Sequence, residues 1–195
     1  MRWRALTRYS FIFGSMAVVI GAGPRDLPEY QEADAVALKI IEDTQNLLLR
    51  EVNEKGPAEA LTQCSAVTVA MAQQHQQDGW RVRRVSQKVR NLANAPNADE
   101  ARILKDYETL KSAGRLKPEV PTARIKVQDG KRDLQYMKPI MITSPVCLQC
   151  HGQPESLPPE VKARLQTLYP RDRATGYQLN DLRGAVSITM PLPEE

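Results

Sequence analysis

The chain has 195 residues, 42% hydrophobic and 26% charged, enough apolar material for one domain with a real core and too much for wholesale disorder. No run of 18 or more apolar residues occurs, which excludes a multi-span helical membrane protein. The net charge of +4 hints at nucleic-acid binding, but three of the 27 basic residues, Arg2, Arg4 and Arg8, lie in the first 22, which hold no acid; the other 24 face 23 acids. A nearly neutral remainder with 5% aromatics makes a poor nucleic-acid binder, and no nucleic-acid partner is expected.

Residues 1–8 are basic and residues 9–22 apolar, the layout of a secretory signal peptide. An uncleaved anchor or a buried N-terminal helix would share that composition. Cleavage after Ala22 leaves bulky Ile20 three residues upstream, and cleavage after Gly23 makes Pro24 the new terminus. We expect export to the periplasm, with residues 1–23 as signal or anchor. In such an oxidising compartment unprotected thiols pair or are oxidised.

In residues 27–53, Val36, Ile40, Leu47 and Leu48 recur at helical spacing and predict one long amphipathic helix, set apart as residues 24–56. Gly56-Pro57 interrupts it, and Pro57 suits the first turn of a second helix reaching about residue 77. There Leu61, Cys64, Thr68, Met71 and His75 share one face. Residues 80–86 predict a strand. Asn97 and Glu100 form a capping-box pattern that opens a helix to about Ala113, ended by Gly114. Asp129-Gly130 predicts a hairpin between residues 122–128 and 134–142. Pro158-Pro159 opens a short helix to Leu168, and residues 185–190 predict the last strand. This order fits an α+β fold, an antiparallel sheet with helices on one side, and no internal repeat is seen.

Cys147-Leu148-Gln149-Cys150-His151 is Cys-x-x-Cys-His, the attachment signature of c-type haem. Two thiols must add to two vinyl groups on one porphyrin edge, so a short arc of chain must separate them, and the following imidazole becomes the axial ligand. The pair could instead be a redox dithiol, although no strand–helix junction is predicted at Cys147. It could belong to a Cys₃His zinc site with Cys64, or form a local disulfide. Haem alone accounts for both the motif and the export signal, since c-type haem is attached outside the cytoplasm. The expected cofactor is one covalent haem c.

The run from Trp80 to Asn97 (Trp-Arg-Val-Arg-Arg-Val-Ser-Gln-Lys-Val-Arg-Asn-Leu-Ala-Asn-Ala-Pro-Asn), Cys147-Leu-Gln-Cys-His-Gly152, Tyr169-Pro-Arg-Asp-Arg-Ala-Thr-Gly-Tyr177 and Asp181-Leu-Arg-Gly184 extend the pattern. Together they resemble the single-haem c-type proteins with a PAS-like fold, which occur alone or as extracytoplasmic sensor modules. The resemblance covers residues 35–191. It implies a PAS-like antiparallel sheet flanked by helices after a long N-terminal helix, the whole of residues 57–195 forming the haem domain. It also implies iron held by the motif histidine, His151, on one side and by a cysteine thiolate from an upstream helix on the other.

Cys64, in Gly56-Pro-Ala-Glu-Ala-Leu-Thr-Gln-Cys64, is the position that matches that thiolate. On the residues alone Cys64 could equally be a small buried hydrophobe, and Met71, His75, Met137 and Met141 are also competent ligands. Cys64 and Met71 are about 10 Å apart along a helix, so both cannot reach one iron. Arg81, Arg83, Arg84, Lys88 and Arg90 cluster beside Trp80. Guanidinium groups can hold haem propionates bidentately, and Arg81 and Arg83 are expected in that role with Trp80 packing on the ring. A solvated, charged strand edge would leave the same pattern. Tyr177 and Arg183 are expected to be structural, Arg183 paired with Asp181 or Asp172.

A thiolate ligand stabilises ferric iron and lowers the reduction potential. Two protein ligands close the iron, and no acid–base pair is apparent, so the chain is not expected to be an enzyme. A redox or diatomic-gas sensor is the leading expectation, in which Cys64 leaves on reduction and its helix shifts. A low-potential electron-transfer cytochrome is the alternative, and a zinc-stabilised binding domain the remote one. A sensor would need a separate redox or signalling partner. The long first helix permits pairing with a second copy of the chain without demanding it.

Overall fold

The computed structural model describes residues 23–74, 76 and 79–193, with the side chains of 63–69, 71 and 72 left aside. Residues 1–22, expected as signal or anchor, His75, and the side chains of Cys64 and Met71 therefore lie outside the described residues. A single 3₁₀ turn, Pro24–Asp26, leads into α1 (Pro28–Lys55), whose first turn holds Pro28, and Gly56 caps its end with an amide bonded to Val52. Next come α2 (Pro57–Gln74), β1 (Arg81–Val85) and α3 (Ala98–Ser112). Asn97 and Glu100 cap α3 reciprocally, Asn97 Oδ1 accepting from the Glu100 amide at 2.9 Å and Glu100 Oε2 from the Asn97 amide at 2.8 Å. Then follow β2 (Thr122–Gln128), β3 (Lys131–Met141), α4 (Pro145–His151), α5 (Pro159–Leu168) and β4 (Leu182–Pro191). Among the described residues no helix is long and apolar enough to cross a membrane.

The four strands form one antiparallel sheet in the order β1-β4-β3-β2. The β2–β3 turn is the two-residue Asp129-Gly130, with φ of 53° and 75°. Positive φ at both positions marks a type I′ turn, whose twist matches that of the strands. Gln128 and Lys131 pair directly, so β3 begins earlier than the hydrophobic pattern indicates.

Helices cover both faces of this α+β, PAS-like sheet, a correction to the single covered face expected from element order. On one face α1 lays Ala33, Ala37 and Ile40 against Trp80, Val82, Leu134, Tyr136, Val186 and Ile188. The 4-3 spacing of the α1 residues is one helical stripe, and the two alanines let the helix approach closely. On the other face α3 sets Ile103, Leu104 and Tyr107 against Val85, Met137 and Ala185. The α1 side of the strands is the apolar one, while on the α3 side Val85, Met137 and Ala185 sit beside polar Arg83, Gln135 and Ser187; each large side chain buried in these cores contributes about 1.5–3 kcal/mol. α1 is also pinned polarly: Asp34 accepts hydrogen bonds from Tyr136 and from Lys138 Nζ, the latter at 2.8 Å.

β4 carries a bulge. Ile140 pairs with Gly184 and Met141 with Leu182, which leaves Arg183 as the extra residue. An extra residue reverses the in–out alternation beyond it. Val186 and Ile188 face α1, yet Leu182 turns to the α3 side. Gly184 makes the bulge sterically feasible, since at φ +156° a Cβ there would lie 2.2 Å from the Val85 carbonyl oxygen.

Candidate functional site

A cavity of about 110 Å³ opens between α1, the ends of β1, β3 and β4, and α4. Its apolar wall comes from α1 (Ile40, Ile41, Leu48), from Leu61 of α2 and from residues 140–142. Cys147, Cys150 and His151 line it together, with Arg84, Arg90 and Arg183.

The two thiols reach one wall because α4 is a helix, an element that the sequence pattern did not predict. Ser144 caps it, its hydroxyl accepting from the Val146 amide at 3.4 Å, and Pro145 occupies the first turn. Cys147 and Cys150, three residues apart, then stand on one face. β3 ends only a few residues before α4 begins. A strand–helix junction thus does precede Cys147, and the expectation that none exists there is corrected. Cys150 is buried, and its Sγ lies 3.9 Å from the Pro57 carbonyl oxygen at the start of α2.

His151 ends α4 with both ring nitrogens engaged. Nδ1 lies 2.7 Å from the Ala174 carbonyl oxygen and Arg183 Nε donates to Nε2 at 3.4 Å. A carbonyl can only accept, so the proton sits on Nδ1, and the Nε2 lone pair is the acceptor of the Arg183 N–H. Desolvation, then the charges of Arg183 and Arg90, hold the imidazole well below its usual range, outweighing the pull of the Ala174 carbonyl. The ring is neutral at pH 7, the protonation state a metal requires. Tyr177 packs edge-on to it, with centroids 6.0 Å apart.

Arg183, the bulged residue, is 6% exposed. Its Nη1 donates to Ser86 Oγ at 2.8 Å, and its guanidinium lies 5.6 Å from the centre of the Tyr177 ring. Among the described residues no carboxylate comes within ion-pair distance of it. Burial, and then the neighbouring Arg84, bring its pKa down to about 9, so it stays cationic at neutral pH. The expected pairing of Arg183 with Asp181 or Asp172 is thus corrected: Asp181 pairs with Lys111 at 2.6 Å and Asp172 with Arg90 at 3.0 Å.

The other anticipated residues separate. Trp80 is buried in the α1-side core. Arg81 is exposed on the edge strand β1. Arg83 lies on the α3 side, donating to the Ala95 carbonyl at 2.5 Å with Glu100 3.7 Å away. Neither Trp80, Arg81 nor Arg83 lines the cavity, whereas Arg84 does. Alternation explains this: Arg84 shares a strand face with Val82, the face α1 covers. Cys64 falls one turn beyond Leu61 in the backbone of α2; the Cys64 side chain and His75, both weighed as iron ligands, lie outside what is described.

A family model described as Tll0287-like matches residues 27–191. Among solved structures, the chain is similar to that of the cyanobacterial heme-protein Tll0287. The two are 24% identical with a TM-score of 0.57, over 87% of this chain and 99% of that one, a likeness of fold. No curated protein matches the chain.

Proposed function

The chain belongs to the Tll0287-like family, and on that premise we propose that it is an exported single-haem c protein that senses redox state or a diatomic gas. The observation that carries this reading is the cavity lined at once by Cys147, Cys150 and a neutral His151. The residues fit an iron porphyrin chemically. Two thiols on one face of a short helix match two vinyl groups, and Nε2 of His151, once Arg183 releases it, would match an axial site. Arg84 and Arg183 match the propionates, Arg183 being a buried cation with no carboxylate in ion-pair reach among the described residues. The similar solved structure is that of a heme-protein, which supports the same cofactor class here. Bound there, an iron porphyrin supplies a one-electron redox centre and, when reduced, a site for a small diatomic ligand.

Cys64 is the residue we assign to the far side of the iron. Its helix, α2, already meets the cavity through Leu61 and is tied to α5 by Glu59 and Arg164 at 3.2 Å. A side chain alternately held and released at position 64 would therefore bias how α2 seats on its neighbours, which is what a sensor needs. The basic and apolar halves of residues 1–22 support export to the periplasm. A half-buried His151 at the cavity favours one second reading, low-potential electron transfer with both ligands retained.

The test is expression alongside a c-type maturation system, with intact mass and the alkaline pyridine spectrum as readouts. One covalent haem per chain is expected; a colourless, mature chain refutes the proposal. Carbon monoxide titration of the reduced protein separates the two roles: binding with a spectral change supports sensing, while no binding supports electron transfer. Cys64→Ala should change the ferric absorption and EPR spectra, and unchanged spectra would remove Cys64 from the site.

A further inference from the structure

Residues 169–177 form one of the sequence blocks that the haem chemistry leaves without a role, and they have little regular structure of their own. They nevertheless grip the end of α4 closely. Tyr177 N–H donates to the His151 carbonyl at 2.9 Å, and Gly176 N–H to that of Gly152 at 2.8 Å. Within the segment, Asp172 Oδ1 accepts from the Ala174 amide at 2.8 Å, an Asx turn that fixes Ala174. The Ala174 carbonyl is the group that engages His151 Nδ1.

Arg90 closes the loop. It donates to Asp172 Oδ2 through Nε at 3.1 Å, with Nη2 in ion-pair contact at 3.0 Å, and Nη2 donates to the Cys150 carbonyl at 2.5 Å. The side chains of Arg90 and Asp172 are only 10% and 9% exposed. The pair thus links the carbonyl just before His151 to the turn that presents the acceptor of His151.

We propose that Asp172, locked by Arg90, is the positioning residue for His151. It aims the Ala174 carbonyl at Nδ1 and offsets the Arg90 charge beside the imidazole, and so sets how strongly Nε2 donates. The inference rests on the haem reading above and adds a residue that touches neither the cofactor nor the histidine. Outer partners of a ligating histidine tune its basicity in this way. Loss of the carboxylate leaves a cation next to His151 and a freer Ala174, both of which weaken donation to ferric iron.

The test uses the haem-loaded chain, with midpoint potential and ferric EPR g-values as readouts. Asp172→Ala should raise the ferrous-to-ferric ratio at fixed potential about tenfold, an upward shift of about 59 mV for one electron, and should move the g-values. Asp181→Asn, which removes a carboxylate outside this ring of bonds, should move both far less. An Asp172→Ala protein with a full haem complement and wild-type potential and g-values overturns the proposal, as does an equal shift in Asp181→Asn. If Asp172→Ala does not accumulate loaded, Asp172→Asn carries the test, since it keeps the acceptor and removes the charge; an unmoved potential there also overturns it. A wild-type chain that takes up no haem overturns the proposed function, and this inference with it, and is seen before any variant is made.

Discussion

Asp34 on α1 is the acceptor for two groups of β3, the Tyr136 hydroxyl and the Lys138 ammonium. The Lys138 side chain is 6% exposed and that of Asp34 is 28% exposed. Substituting Asp34→Ala leaves a nearly buried ammonium and a buried phenol without their acceptor. Removing one partner of a buried pair costs about 3–5 kcal/mol, and the partial exposure of Asp34 puts the expectation at the lower end, about 3 kcal/mol. With a urea m-value of about 2 kcal/mol/M, the unfolding midpoint should fall by about 1.5 M. The double variant Asp34→Ala/Lys138→Met removes the stranded charge and should be more stable than Asp34→Ala alone. Urea unfolding followed by far-UV circular dichroism measures the wild type, Asp34→Ala, Lys138→Met and the double variant. A loss under 1 kcal/mol, or a double variant whose loss is the plain sum of the singles, refutes the pin. The same helix forms one wall of the cavity through Ile40, Ile41 and Leu48, so Asp34→Ala should also reduce the fraction of chains that retain haem.

Acid should release the same pin. Burial alone would push the Asp34 carboxyl up, but the hydrogen bonds from Lys138 and Tyr136 outweigh it and hold its pKa below the usual carboxylate value. A depressed folded-state pKa gives stability that is present above about pH 4 and is lost as pH falls through the folded value; Asp34→Asn should flatten that part of the stability–pH profile. Gly184→Ala places a Cβ 2.2 Å from the Val85 carbonyl oxygen at the bulge and should cost about 3 kcal/mol or more in thermal unfolding. Cys147→Ser and Cys150→Ser should each lose one thioether, seen as haem that the alkaline pyridine spectrum assigns to a single linkage; full double attachment in either would contradict the assignment. Arg183→Leu should lower haem retention under denaturant, whereas Arg81→Leu, on the exposed edge strand, should leave it unchanged.

The contrast between Arg81 and Arg183 marks where sequence periodicity stops being informative. Helix starts and turns were legible because each depends on a few neighbours: Pro57 at a first turn, the Asn97–Glu100 cap, the Asp129-Gly130 turn. Alternation along β1 also grouped Trp80, Val82 and Arg84 correctly, but nothing local says which group will face the cavity. That depends on where α1 docks, a contact across more than forty residues. Arg183 was hidden for another reason: counting back from Val186 by twos puts it on the α3 side, and only the bulge opposite Ile140 and Met141 turns it round. The second covered face went unforeseen because the α3 side of the strands is largely polar, with Arg83, Gln135 and Ser187 on it, and reads as a solvated face. α4 had a readable start at Ser144-Pro145, overshadowed by the chemistry of the cysteines that follow.

With only seven residues, α4 is far too short to persist as an isolated helix. Its last residues are held by amides at 176 and 177 and by a guanidinium at 90. The pentapeptide is therefore not a cassette. Grafted into another host it would bring its sulfurs and its imidazole but not their orientation, and a working transplant would need the distant pieces around 90 and 169–177 carried along with it.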